Sequence, residues 1–309
     1  NVDDAFLAGI PGGKGGMELV SHDELDRIVA KSGKIPAKVP GGSAGNTITG
    51  LACLGAPTSF LGKIGTDPDG EFYLRTLAGM DCESRNFRYS SNTYTGRCLS
   101  MITPDSQRTM RTDLGAAATV GPDDVDIEVF NGITHVHLEG YALFAEDYFR
   151  KVAELAHRSG CIISLDLASF EVARIKRDFI LEVLEKYIDI VFANEDEAAV
   201  FCGDGLPEEQ VGFLRRYCST AAVKLGAKGC CLGRGDEVCR VGTPVVNALD
   251  TTGAGDLWQA GFLYGVLQGA TLAECGQFGA LLGAEVVQVI GPKIPESRWP
   301  ELRQQIGVK

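Results

Sequence analysis

Between residues 133 and 225 the sequence repeats one pattern: a short, almost unbroken apolar run, a longer amphipathic stretch, then another apolar run. The runs fall at 133–138, 161–167, 188–193 and 221–225, and the stretches at 146–159 and 179–186 have helical spacing. A strand buried on both faces reads as a continuous apolar segment, and Ile188-Asp189-Ile190-Val191-Phe192-Ala193 nearly does. Strand and helix alternating at this spacing imply parallel strands joined by helical crossovers, an α/β layer structure. Such sheets collect ligands at the carboxyl ends of their strands. Asn194, Gly226 and a turn at 250–256 fall at such ends.

That turn reads Asp250-Thr251-Thr252-Gly253-Ala254-Gly255-Asp256 and runs into the apolar segment 257–267, long enough for a buried helix. Two glycines one residue apart let backbone approach a ligand, and the amides of Gly253, Ala254, Gly255 and Asp256 would face outward at the positive end of the helix dipole. A carboxylate among anion-binding amides would repel a phosphoryl group it only had to bind. Accepting a proton from an attacking hydroxyl suits Asp256 better. The structural alternative is a cap from Asp250 or Thr252 with glycines that only make a tight turn.

The whole heptad before an apolar helix resembles the C-terminal motif of the ribokinase-like, phosphofructokinase-B type carbohydrate kinases. The resemblance implies an α/β, ribokinase-like Rossmann-type three-layer sandwich with a central, mostly parallel sheet and a small β lid. It further implies Asp256 as catalytic base and the amides of Gly253, Ala254 and Gly255 as an anion hole. Pro40-Gly41-Gly42-Ser43-Ala44-Gly45-Asn46-Thr47 and the segment Gly62-Lys63-Ile64-Gly65-Thr66-Asp67 resemble the N-terminal motif of the same family. By that resemblance Gly42, Ser43 and Asn46 meet the substrate hydroxyls; without it, a glycine turn into a tightly packed helix explains them.

Asn194-Glu195-Asp196-Glu197 enters a helix, where acids suit the dipole and residues three apart lie close, so a structural cap is one reading. It also resembles the family's Asn-x-x-Glu element, which implies ATP at Asn194 and Glu197, with Glu197 orienting Mg²⁺ through water. Lys224-Leu225-Gly226-Ala227-Lys228-Gly229 resembles the segment bordering ATP, implying contacts from Lys224, Gly226 and Gly229. Lys224 departs from the Thr often found at its position. Asp250, with the loop at Gly291 and Pro292, would by resemblance hold a monovalent cation such as K⁺. Phe192 to Ala198, together with Leu165-Asp166-Leu167-Ala168-Ser169-Phe170, is similar to the adenosine kinase branch, which implies Phe170 against a purine, with Tyr141 and Phe144 as further candidates; a core role for Phe170 is the alternative.

The chain is read as a single domain over 1–309, with the lid formed from about 1–40 and 86–113. Short strands are expected at 58–62, 93–96, 98–102 and 109–112, a hairpin turn at 104–107, and a turn at 65–70. The glycine-rich opening 1–16 is expected to lack a strand; Gly12 to Gly16 lacks the Ser or Thr that a phosphate loop needs after Lys14. Ser21 with Glu24 three residues on marks a helix start. In the lid Arg111 either reaches the substrate or is a solvated surface arginine. Family members begin with an apolar strand ending in a substrate-binding Asp. This sequence begins Asn1-Val2-Asp3-Asp4, so that strand is lacking here or the edge is built differently.

A net charge of −12 without a Lys/Arg block argues against nucleic acid as partner, and no long apolar run argues for a membrane. The ten cysteines show no Cys-x-x-Cys spacing, and the four histidines do not cluster. Reduced, mostly buried thiols in a cytoplasmic protein are expected. The expected function is transfer of the γ-phosphoryl group of ATP, with Mg²⁺, to a primary hydroxyl of a sugar or ribonucleoside, the lid offering a surface for a homodimer. A non-catalytic sensor on the same scaffold would need a damaged turn, and a nicotinamide dehydrogenase a Gly-x-Gly-x-x-Gly after a strand that the sequence lacks.

Overall fold

The apolar runs between 133 and 225 become the parallel strands His135–Glu139, Ile162–Asp166, Ile190–Asn194 and Thr220–Lys224, adjacent in that order. An antiparallel hairpin, Cys230–Arg234 with Glu237–Val241, extends them to six strands. These come from a computed structural model that describes residues 1–105 and 107–308. The chain divides into two compact units, Asn1–Gly41 with Ser59–Val120, and Gly42–Thr58 with Gly121–Lys309.

In the second unit the sheet is covered on both faces. Ile190 and Phe192 pack in a cluster with Trp258, Phe262 and Leu282, while their neighbours Val191 and Ala193, equally buried, point to the opposite face. Phe192 meets Trp258 and Phe262 edge-on, with ring centroids 6.0 and 5.3 Å apart. The apolar segment after the 250–256 turn is the helix Ala254–Leu267, which packs against Leu272–Val286 and Ser43–Cys53. Glycines set how closely: a Cβ on Gly261 would lie 2.3 Å from the Phe278 carbonyl oxygen, and one on Gly279 2.8 Å from the Trp258 ring. Each parallel strand ends on a polar residue, Glu139, Asp166, Asn194 or Lys224, so the sheet presents a polar edge where its apolar core stops.

The first unit carries a three-stranded sheet in which Arg108–Asp113 is flanked by Gly16–Leu19, parallel, and Arg97–Ile102, antiparallel. Leu7, Ile10, Ile28 and Met101 form its small core. Ser21 accepts from the Glu24 amide to start the helix His22–Ser32, as the sequence implies. A second pair, Gly62–Gly65 parallel to Phe87–Ser90, lies beside a triad of Phe60, Tyr73 and Phe87 rings.

Several expectations need correction. The opening 1–15 holds no strand, but one that the sequence did not mark, Gly16–Leu19, begins at its end, hidden from pattern reading because all four residues are exposed. Residues 93–96 are not a strand: the Thr95 amide and hydroxyl are engaged by Asp67 Oδ2 and the Gly65 amide. The run 58–62 breaks into Thr58–Ser59 and Gly62–Gly65, and the supposed turn at 65–70 is the start of the helix Pro68–Ala78, capped by Asp67. Residues 1–4 lead into the short helix Asp4–Ala8, with Asp3 as its cap. The hairpin turn at 104–107 includes Ser106, which lies outside the described residues. All ten cysteines are free, and burial pushes the thiols of Cys218 and Cys230 up to about 12. No helix among the described residues is long and apolar enough to cross a membrane.

Candidate active site

The helix Ala254–Leu267 begins without a side-chain cap. Gly253 takes the left-handed conformation at φ +74°, and a Cβ there would lie 2.6 Å from that of Pro292, so the turn requires glycine twice over. Thr251's carbonyl accepts from the Ala254 amide at 3.2 Å, which removes one of the four expected outward donors. The amides of Gly253, Gly255 and Asp256 take no protein acceptor among the described residues. Three donors at a helix N-terminus therefore remain for an anion. Asp250 does not cap this helix; its Oδ1 accepts from the Thr252 amide and hydroxyl, and its Oδ2 from the Gly291 amide at 2.8 Å, tying two loops together.

Asp256 is held from the neighbouring helix. Ser43 donates to Oδ1 at 2.8 Å and Asn46 Nδ2 to Oδ2 at 2.7 Å. Gly42, at φ +89° with open space around its Cα, turns the chain into that helix. Ser43 and Asn46, expected at the substrate, thus orient the candidate base directly. Burial is the main influence on Asp256; the Asn46 hydrogen bond opposes it, the Asp166 charge adds to it, and the result lifts the carboxyl to about 6. A group that ionises near neutrality suits proton acceptance.

Asn194 and Glu197 form a reciprocal capping box: Asn194 Oδ1 accepts from the Glu197 amide, while the Asn194 amide and Nδ2 donate to Glu197 Oε2 and Oε1 at 2.8 and 2.9 Å. The structural reading of this pair is therefore realised. Glu197 is also almost fully buried, and burial, opposed by Lys224 and reinforced by Asp166, raises its carboxyl. Gly226, at φ +55°, faces open space, whereas Gly229 is demanded by packing, since a Cβ would lie 2.0 Å from the Val241 carbonyl oxygen.

Sequence reasoning missed three residues that the fold brings here. Glu139 accepts from the Ala44 amide at 2.9 Å, and burial raises its carboxyl. Asp166 accepts from Lys224 Nζ at 3.1 Å and from Gln259 Nε2 at 2.5 Å. The signals were present: Glu139 and Asp166 are acids closing apolar runs, and Gln259 is a polar interruption in an otherwise apolar helix. Burial pulls on the Lys224 ammonium, yet the Asp166 and Glu197 charges outweigh it and raise its pKa.

Two further expectations are changed by the structure. Arg111 is neither at the surface nor free to reach a substrate: it is buried in the first unit, donating to the carbonyls of Pro11, Met110 and Gly13, each at 2.9 Å. Phe170 is not core; its ring is exposed under the Arg174 guanidinium, and Tyr141 and Phe144 are exposed in a segment that packs against the Phe170 helix.

Residues 21–299 match the pfkB family of carbohydrate kinases. A 2-dehydro-3-deoxygluconokinase from Bacillus subtilis is 30% identical over 263 residues, covering 81% of each chain. The crystal structure of an adenosine kinase from Sinorhizobium meliloti superposes with a TM-score of 0.87 at 34% identity, over 98% of this chain and 94% of the other. That of a probable sugar kinase from Rhizobium etli CFN 42 gives 0.88 at 30% identity, over 100% and 94%.

Proposed function

The chain belongs to the pfkB family of carbohydrate kinases and is an enzyme that phosphorylates a sugar or nucleoside, and from this premise we propose that it transfers the γ-phosphoryl group of ATP to a primary hydroxyl of a ribonucleoside, with Asp256 as base. Its fold is the ribokinase-like α/β fold expected from the sequence. The observation that carries the proposal is the Asp256 carboxylate, fixed by Ser43 and Asn46 beside three unbonded amides at an uncapped helix start. In the reaction the acceptor oxygen attacks phosphorus in line as its proton passes to Asp256. The new O–P bond forms, the bond to the β-phosphate oxygen breaks, and ADP leaves. The amides of residues 253, 255 and 256 then stabilise charge on the transferred group without reorganising.

A ribonucleoside is favoured over a bare sugar by the likeness to the S. meliloti adenosine kinase and by the exposed aromatic side chains of Tyr141, Phe144 and Phe170 beside the strand ends. A screen of ATP consumption with adenosine, inosine, ribose and fructose derivatives tests this choice; turnover of sugars alone would overturn the nucleoside assignment.

Mg²⁺ keeps several waters and binds through a carboxylate plus substrate phosphates, and the carboxylate available for this is Glu197, buried with the Asp166 charge beside it. Glu197 would hold it through water, and the ion would neutralise phosphate charge. The case for K⁺ is narrower: both Asp250 oxygens already accept protein hydrogen bonds, so backbone carbonyls would do most of the holding, and equal turnover in K⁺ and Na⁺ would remove it. The same reading includes a homodimer through the first unit, where Leu19 is 62% exposed on an entirely exposed strand; sedimentation showing only monomer would exclude it.

A further inference from the structure

A lysine side chain has four flexible bonds, and burying its ammonium is unfavourable unless partners hold it. Lys224 ends its strand with a side chain only 14% exposed. Its Nζ lies where it faces the anion turn: a Cβ added to Gly255 would sit 3.3 Å from that nitrogen. Asp166, the last residue of a parallel strand, accepts from Nζ at 3.1 Å. Gln259 Nε2 donates to the same carboxylate oxygen from a fully buried position. Gln259 lies three residues after Asp256 on one helix, so the element that presents the candidate base also steadies the lysine's partner.

The chain of contacts continues inward. Gln259 Oε1 and His137 Nε2 are both buried without a well-formed hydrogen bond, and the two side chains interact. His137 Nδ1 lies 2.9 Å from Ser164 Oγ. A neutral His137 protonated on Nε2 presents a donor toward Gln259 Oε1, which favours the amide orientation with its nitrogen toward Asp166.

We propose that Asp166, steadied by Gln259, is a positioning residue that holds the Lys224 ammonium against the 253–256 turn, so that a fixed positive charge stands beside the three free amides where the transferred phosphoryl group gathers charge. The inference rests on the kinase reading of that turn and adds what the turn lacks, a full positive charge. Asp166 acts through Lys224 and touches neither substrate.

The test is a mutant cycle on the full chain, with MgATP and whichever of adenosine, inosine and ribose the wild-type enzyme phosphorylates fastest. Asp166→Asn is expected to lower kcat by about 10- to 100-fold with the acceptor KM changed less than about threefold, because the effect is confined to the transition state. It also brings in an alkaline limb, since Lys224 loses its hydrogen-bonded partner among the three carboxylates, Asp166, Glu197 and Asp256, that keep it protonated. In a Lys224→Met background, Asp166→Asn should cost less than about twofold more, since both remove one device. Gln259→Met gives a smaller kcat loss of about three- to tenfold, which also vanishes in that background, and it decides the matter should Asp166→Asn fail to fold. Additive losses, or a kcat within about twofold of wild type for Asp166→Asn, overturn the inference. Asp256→Asn separates the two levels: if it retains turnover, or if the wild type phosphorylates none of the acceptors, the underlying reading fails and takes this inference with it. If it is inactive while the cycle is additive, only the inference fails.

Discussion

Two turns in the second unit lead from the sheet region into a helix, and they use their polar groups in opposite ways. At 194–197 the side chains of Asn194 and Glu197 close on each other's backbone and satisfy the helix start internally. At 253–256 there is no side-chain cap, a left-handed glycine opens the helix, and three amides are left over. An uncapped start forgoes roughly 1 kcal/mol of stability. The contrast teaches where to look for chemistry: the turn that stabilises itself is scaffold first, and the turn that leaves donors unsatisfied beside a carboxylate is the candidate for the reactive site.

The sharpest way to break this contrast is Asp256→Asn, expected to depress kcat by about 10² to 10⁴ while ATP affinity stays within about threefold. Near-normal turnover would show that the unsatisfied turn is not the reactive one. Next comes pH. Asp256 must be ionised to accept a proton and ionises near 6, so kcat/KM should fall about tenfold per unit below pH 6 and level off above it. Because folding raises this acid's pKa, its contribution to stability is most favourable at low pH and declines as pH rises through 6, the reverse of a salt-bridged carboxylate. A rate profile flat from pH 5 to 8 would contradict the assignment.

Gly253→Ala tests the turn's shape. Positive φ and the Pro292 contact should together cost about 1–3 kcal/mol in denaturant unfolding, with turnover reduced as the amides shift. Smallest is Glu197→Gln, which keeps the shape of the cap but weakens its charge-assisted bonds. A stability loss of about 1 kcal/mol or less is expected, together with an altered dependence of turnover on Mg²⁺ concentration. An unaltered dependence would leave Glu197 a cap alone.

Much of this was legible in the sequence. The parallel strands were found within about two residues because strands buried on both faces must be apolar throughout. The 250–256 turn was found because glycine spacing before a long apolar helix has few other uses. The first unit was harder: Gly16–Leu19 buries nothing, so no period could mark it, and Asp67 capping a helix looks like a turn from sequence alone. That Ser43 and Asn46 would meet Asp256 was not legible for another reason. Ser43 and Asn46 are more than 200 positions from it, and nothing local reveals which polar group they will meet. Arg111 failed likewise, because the carbonyls it binds near Pro11 belong to a segment without regular structure.

Behind the candidate base, Gly261 and Gly279 bring two helices so near that not even a methyl group fits at the seam. The helix bearing Asp256 is thereby pinned along its length as well as at its mouth. A single added carbon at Gly261, far from any reactant, would have to push that shaft outward and carry its acidic tip with it. Inactivating changes in this enzyme should therefore be found on the back of the molecule as readily as in the cleft, wherever they wedge the seam apart.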